Sequence, residues 1–254
     1  MKYFVDEGSI VREIWGKADT ILFIFAGASA EFALNKAVDW LYFTGKLPSD
    51  PLGRLFSTVA YARLIVFSEH EAALQSIDKI TAIHKGVEQS RGAQIPDWAY
   101  RDVLFMLIDY SIRAYEVLER KMTESEKAEA FHTFLKVGVR MGITGLPLNF
   151  RDWEKMRAEH LKENLIKSEF TLDLYKQYKK HLGAVRYQML KQVQVMVVPQ
   201  RVNKLLSLAP ISMLTPVLYA YKLMRFFHLE KILRNAFLPK DYKAQIVDLD
   251  IVAR

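Results

Sequence analysis

At 254 residues, about half of them apolar and none of them cysteine, the chain is long enough to bury a substantial core, and it carries a net charge of +7. This composition excludes a disordered chain, and the lack of cysteine excludes a disulfide framework and any thiolate-held iron. The first residues, MKYFVDEGSI, contain no apolar run, which argues against a cleaved secretory signal and makes the cytoplasm the expected compartment.

Nearly every segment reads as helix. Ser9 caps a first helix in SIVREIWGKA, and a second covers residues 19–45, ending in the turn-rich TGKLPSDPLG. From Pro51, a residue suited to the first helical position, PLGRLFSTVAYARLIVF places apolar residues at Leu52, Leu55, Val59, Ala62 and Val66. Ser68 and Glu71 have the spacing of a capping box, so the chain turns near Ser68 into a helix bearing the stripe Ile77, Ile80, His84, Val87. Pro96 and Asp97 open a long helix to about Lys121, apolar around most of its girth between Val103 and Ile112 and therefore central. Thr123 and Glu126 make another capping box, starting a helix that runs to about Gly142; after the GITGLP break comes NFRDWEKMRAEHL. Further helices are expected over 170–182, 202–208 and 217–237, with β-branched Val193 to Val198 as a short extended segment. Without a repeat or sustained alternation, the class is all-α: one multi-helix domain over 1–254, with its core in 9–160 and a helical C-terminal part in 161–254.

One constellation stands out. If the helix after Ser68 folds back on the one before it, Arg54 and Thr58 lie level with the stretch from Ile80 to His84, and Gly86 leaves room beside them. An arginine, a hydroxyl and a histidine meeting inside an apolar hairpin can hold a cofactor. A histidine on an apolar stripe is also, more often, a hydrogen-bonded core residue, and Thr58 could simply back-bond its own helix. Pattern alone leaves both readings open.

The order of GRLFST (from Gly53), VFSEHEAA (from Val66), ITAIHKGV (from Ile80) and MGITGLPLNFRDWEK (from Met141) resembles the haem-dependent oxygenase family of latex-clearing proteins and MpaB-type oxygenases. The likeness covers about 10–160, with a fainter continuation toward Pro239. It implies a non-covalent haem b enclosed by the central hairpin, His84 as proximal iron ligand, and Arg54 and Thr58 as catalytic and cofactor-binding residues beside it. Arg54 would supply positive charge to a propionate or a developing anion, and Thr58 a hydrogen bond. The implied activity is an oxygenase or oxidase acting on a hydrophobic small molecule or lipid-like substrate. Two departures narrow it. Latex-clearing proteins carry a lysine immediately before the family's threonine, where this chain has Ser57, so polyisoprene cleavage is not implied. Many relatives also carry a histidine in the helix corresponding to 102–119, and this chain has none there. The alternative is a haem-free helical protein, membrane-peripheral or scaffolding, that keeps the fold without the chemistry.

Other chemistries find less support. Glu129 and His132 have the one-turn spacing of a di-iron helix, but no second such pair exists, and an exposed charged face is the simpler reading. No zinc-protease, Walker or dinucleotide motif occurs. His70, His160, His181 and His228 have charged or helix-end neighbours and read as surface residues. The apolar run 20–30 is too short to cross a bilayer, and 206–224 is broken by Pro210 and Pro216. The basic excess of the C-terminal half, interleaved with aromatics and leucines, suits peripheral contact with an anionic membrane better than nucleic acid; solvated helix faces account for it equally well.

Overall fold

The computed structural model describes residues 2–45 and 49–226, and among these the chain forms eleven helices and no strand beyond isolated bridges. In chain order they are α1 (Ile10–Trp15), α2 (Ala18–Phe32), α3 (Asp39–Phe43), α4 (Pro51–Phe67), α5 (His70–Arg91), α6 (Asp97–Leu118), α7 (Glu124–Arg140), α8 (Phe150–Glu163), α9 (Glu169–Val197), α10 (Gln200–Leu206) and α11 (Thr215–Phe226). The all-α class is therefore correct. Helix α6 is the axle, with α2, α7, α8 and α9 packed around it. Its buried Leu104, Phe105, Met106, Ile108, Tyr110 and Tyr115 join Trp15, Ile21, Ile24, Phe131 and Trp153 in one continuous core. Helix α2 approaches α6 closely because Gly27 lies against the Tyr110 ring; a Cβ there would fall 2.3 Å from ring carbons. Only glycine fits.

Local chemistry sets most helix ends. Ser9 caps α1 through the N–H of Val11, Asp50 caps α4 through that of Gly53 with Pro51 following, and Thr123 with Glu126 forms the expected capping box on α7. Three expectations differ. The helix expected over 19–45 ends at Phe32, because Asn35 turns its side chain to the N–H of Ala37 and to Asp102 while Lys36 and Ile166 donate backbone bonds to Asn164 O and Leu34 O. At Ser68 no capping box forms. Instead the N-terminal segment pairs with the turn: His70 N–H donates to Lys2 O (2.9 Å) and Phe4 N–H to Ser68 O (3.4 Å). The segment Val193 to Val197 is not extended, and only the cap residue Val198 is; the segment completes the 29-residue α9, which kinks at Gly183 (φ 73°, ψ 170°), a backbone conformation open essentially to glycine. The last helix is described from Thr215, and its expected continuation to 237, like His228 and Pro239, lies outside the described residues.

Candidate functional site

Helices α4 and α5 pack against each other as a hairpin joined by Ser68 and Glu69. Arg54 and His84 are brought close enough across it for the Arg54 charge to act on the imidazole. His84 is partly buried, its Nδ1 is 2.9 Å from the carbonyl oxygen of Ile80, and the Tyr100 ring meets it edge-on at 5.2 Å. A carbonyl only accepts, so Nδ1 carries the proton and Nε2 keeps its lone pair. Burial lowers the pKa of His84, the Ile80 carbonyl opposes this, and Arg54 lowers it further, so the ring is neutral at physiological pH. A neutral imidazole with Nδ1 anchored and Nε2 free is in the state a metal ligand requires.

Arg54 is also partly buried. Among the described residues its side chain bonds only Ser57, from Nη1 to Oγ (3.2 Å), and pairs with no carboxylate. Thr58 donates its hydroxyl to Arg54 O at 3.1 Å, the back-bonding arrangement, and Ser57 donates to the same carbonyl at 2.7 Å. Thr58 therefore sits one turn from Arg54 on α4, but no bond joins it to His84. Gly86 does not provide room beside His84: two positions on, it lies on the opposite, exposed face of α5, where a Cβ would meet no atom within 4 Å. The donor set fits a haem: a neutral nitrogen for iron and, for a propionate, a guanidinium that pairs with no carboxylate among the described residues.

A second polar cluster escapes sequence reading. His160 is not a surface residue; it is 4% exposed in the core, with Nε2 at 3.0 Å from Glu31 Oε1 and Nδ1 in contact with Asp102 Oδ1. Both neighbours accept, so both nitrogens donate and the ring is an imidazolium. Burial opposes that charge, but the bonds to Asp102 and Glu31 outweigh it and raise the pKa. Arg157, one turn earlier on α8, forks onto both oxygens of Glu31 and also donates to Asp109 (2.8 and 3.0 Å), while Tyr110 donates to Glu31 at 2.8 Å. Burial alone would raise the Glu31 pKa, yet Arg157 and His160 bring it down to about 2. Asn35 and Asn164 donate to Asp102 and complete the network, which ties α2, α6 and α8 together. The signal is present in Trp153, Arg157 and His160, which follow helical spacing as the buried face of α8. It is hidden because two of the three residues are cationic.

The remaining histidines divide. His181 and His132 are exposed, as is Glu129, whereas His70 is half-buried and stacks on Phe4. Among the described residues no group of three histidines and carboxylates is arranged to hold a metal ion, which leaves the di-iron reading without support, and no helix is long and apolar enough to cross a membrane. The family model described as ER-bound oxygenase mpaB/B'/rubber oxygenase, catalytic domain, matches residues 15–228. A comparison with curated proteins gives no match.

Proposed function

The chain belongs to the mpaB/rubber oxygenase catalytic-domain family, and from that membership we propose that it is a haem b-dependent oxygenase or oxidase acting on a hydrophobic, lipid-like small molecule. The observation that carries the haem assignment is the state of His84: Nδ1 held by Ile80 O, with Nε2 unbonded and the neighbouring Arg54 unpaired with any acid among the described residues. When bound, haem supplies redox-active iron for the activation of dioxygen or a peroxide.

This chain's own residues do the rest. The Ile80 carbonyl fixes the tautomer and orientation of His84, and the lowered pKa keeps Nε2 unprotonated. Arg54, held by Ser57, offers the remaining N–H groups of its guanidinium to an anionic group at the mouth of the hairpin. Thr58, whose proton is committed to Arg54 O, has lone pairs left to accept a bond from a polar group of the substrate. Ser57, where latex-clearing proteins have lysine, puts a neutral hydroxyl rather than a cation at that place, in keeping with a substrate other than polyisoprene.

Absorbance of protein purified from haem-replete cells tests the reading. A stoichiometric Soret band that His84→Ala abolishes, with the far-ultraviolet dichroism unchanged, is the expected result. A colourless, folded wild-type protein, or a variant that keeps the full band, sinks it.

A further inference from the structure

Between Leu174 and Leu229 the sequence contains nine lysines and arginines and no aspartate or glutamate, so this stretch alone carries more positive charge than the +7 of the whole chain. Within it lies a run of seventeen residues, from Leu205 to Tyr221, with no charged residue at all.

The structure puts the tips of that run outside. Ile211 is 74% exposed, Met213 81% and Tyr219 70%, with Val217 at 39%, whereas Ser212 is buried and Tyr221 turns inward to bond Asp19. The segment is not a loose strand. Gln192 Oε1 accepts from the N–H of Met213 at 2.6 Å and from Ser212 Oγ at 3.2 Å, and Asn203 donates to Ala209 O. These bonds hold the loop in a fixed shape while its largest apolar side chains face away from the core. Arg201 and Lys204, on α10 just before the loop, are exposed and form no ion pair among the described residues.

We propose that this loop and the first turns of α11 form a docking surface for an anionic lipid bilayer. Ile211, Met213 and Val217 enter the acyl boundary, Tyr219 sits at the headgroup level, and Arg201 and Lys204 meet anionic headgroups. Charge complementarity selects this occupant. A segment with nine cations and no acidic residue of its own repels a second copy of itself and offers a basic partner little. A nucleic acid would use the cations but would leave four protruding apolar side chains in water. With no membrane-crossing helix among the described residues, the contact is peripheral. The inference stands independently of the oxygenase reading, because its assay needs no haem.

Co-sedimentation of the full chain with phosphatidylcholine vesicles, with and without about one-third phosphatidylserine, tests it. The wild type is expected to bind the anionic vesicles and to be released by high salt, and the double variant Ile211→Glu with Met213→Glu to bind them roughly ten-fold less at an unchanged melting temperature. The pair Arg201→Glu and Lys204→Glu should weaken binding to anionic vesicles alone. Wild-type protein that stays in the supernatant with both vesicle types overturns the proposal, as does binding indifferent to the loop variant. A loop variant that melts markedly lower also overturns it, since the tips would then pack against the chain's own residues. Binding to duplex RNA without binding to vesicles would assign the charge to nucleic acid instead.

Discussion

Replacing Arg157 by methionine keeps the length of the side chain and removes the cation that holds Glu31 and Asp109. Glu31 is fully buried and Asp109 nearly so, and neither can reach bulk water without opening the contacts between α2, α6 and α8. Breaking a buried pair from one side costs about 3–5 kcal/mol; here Glu31 keeps only His160 as a cation and Asp109 only the more exposed Arg113. For a chain of this size each kcal/mol moves the midpoint by about 2–4 °C, so Arg157→Met should lower the melting temperature by roughly 6–20 °C, read by far-ultraviolet dichroism at neutral pH. Acid provides an internal check. In the wild type, Arg157 and His160 bring Glu31 down to about 2; without Arg157 it takes up its proton at higher pH, and the deficit of the variant should shrink as the pH falls toward 4.5 and below. Adding Glu31→Gln to Arg157→Met should restore part of the loss. A fall of less than about 2 °C, or a deficit that stays constant in acid, would refute the view that these charges depend on one another.

Three further outcomes are expected. Stability against urea should peak between two titrations: Glu31's contribution is complete above 4.5 and disappears as the pH falls from there toward about 2, whereas His160's is complete below 6.5 and is lost as the pH rises through its elevated folded value. A urea midpoint that keeps rising through alkaline pH would contradict the imidazolium assignment. Gly27→Ala places a methyl against the Tyr110 ring and should cost about 1–3 kcal/mol by overpacking, seen as a lower urea midpoint at unchanged slope; a neutral substitution would show that α2 and α6 do not approach so closely. Thr123→Ala removes the capping box of α7 and should cost about 1 kcal/mol, measured in the same way; no change in the midpoint would mean that the cap carries no stability there.

Helix ends written in local chemistry are legible in the sequence: Ser9, Pro51, Pro96 and Thr123 all mark real boundaries. The boundaries that sequence reading misplaces are those decided by distant partners. Asn35 ends α2 through Asp102, and Lys2 supplies an acceptor at the turn where a Ser68 box is expected. The candidate site divides along the same line. The pairing of Arg54 with His84 follows from counting residues back from one turn, and the hairpin delivers it. The Glu31, Asp102, Asp109, Arg157 and His160 network draws on three helices separated by up to 129 residues, and reading by charged neighbours sends His160 to the surface. Burial of charge is a property of the set, visible only once the partners are assembled.

The pairing of residues 2–4 with the turn between α4 and α5 has a consequence for how the protein is handled and made. A backbone partner about 65 positions upstream completes the start of the helix that carries His84, so closing that loop belongs to the assembly of the site itself. Both partners lie early in the chain and can meet while the ribosome is still adding α7, well before the C-terminal helices exist. For the same reason, an affinity tag fused directly before Lys2 adds chain at the place where the hairpin is stapled, and a tag of that kind is the first thing to move if preparations lose the shape of the site.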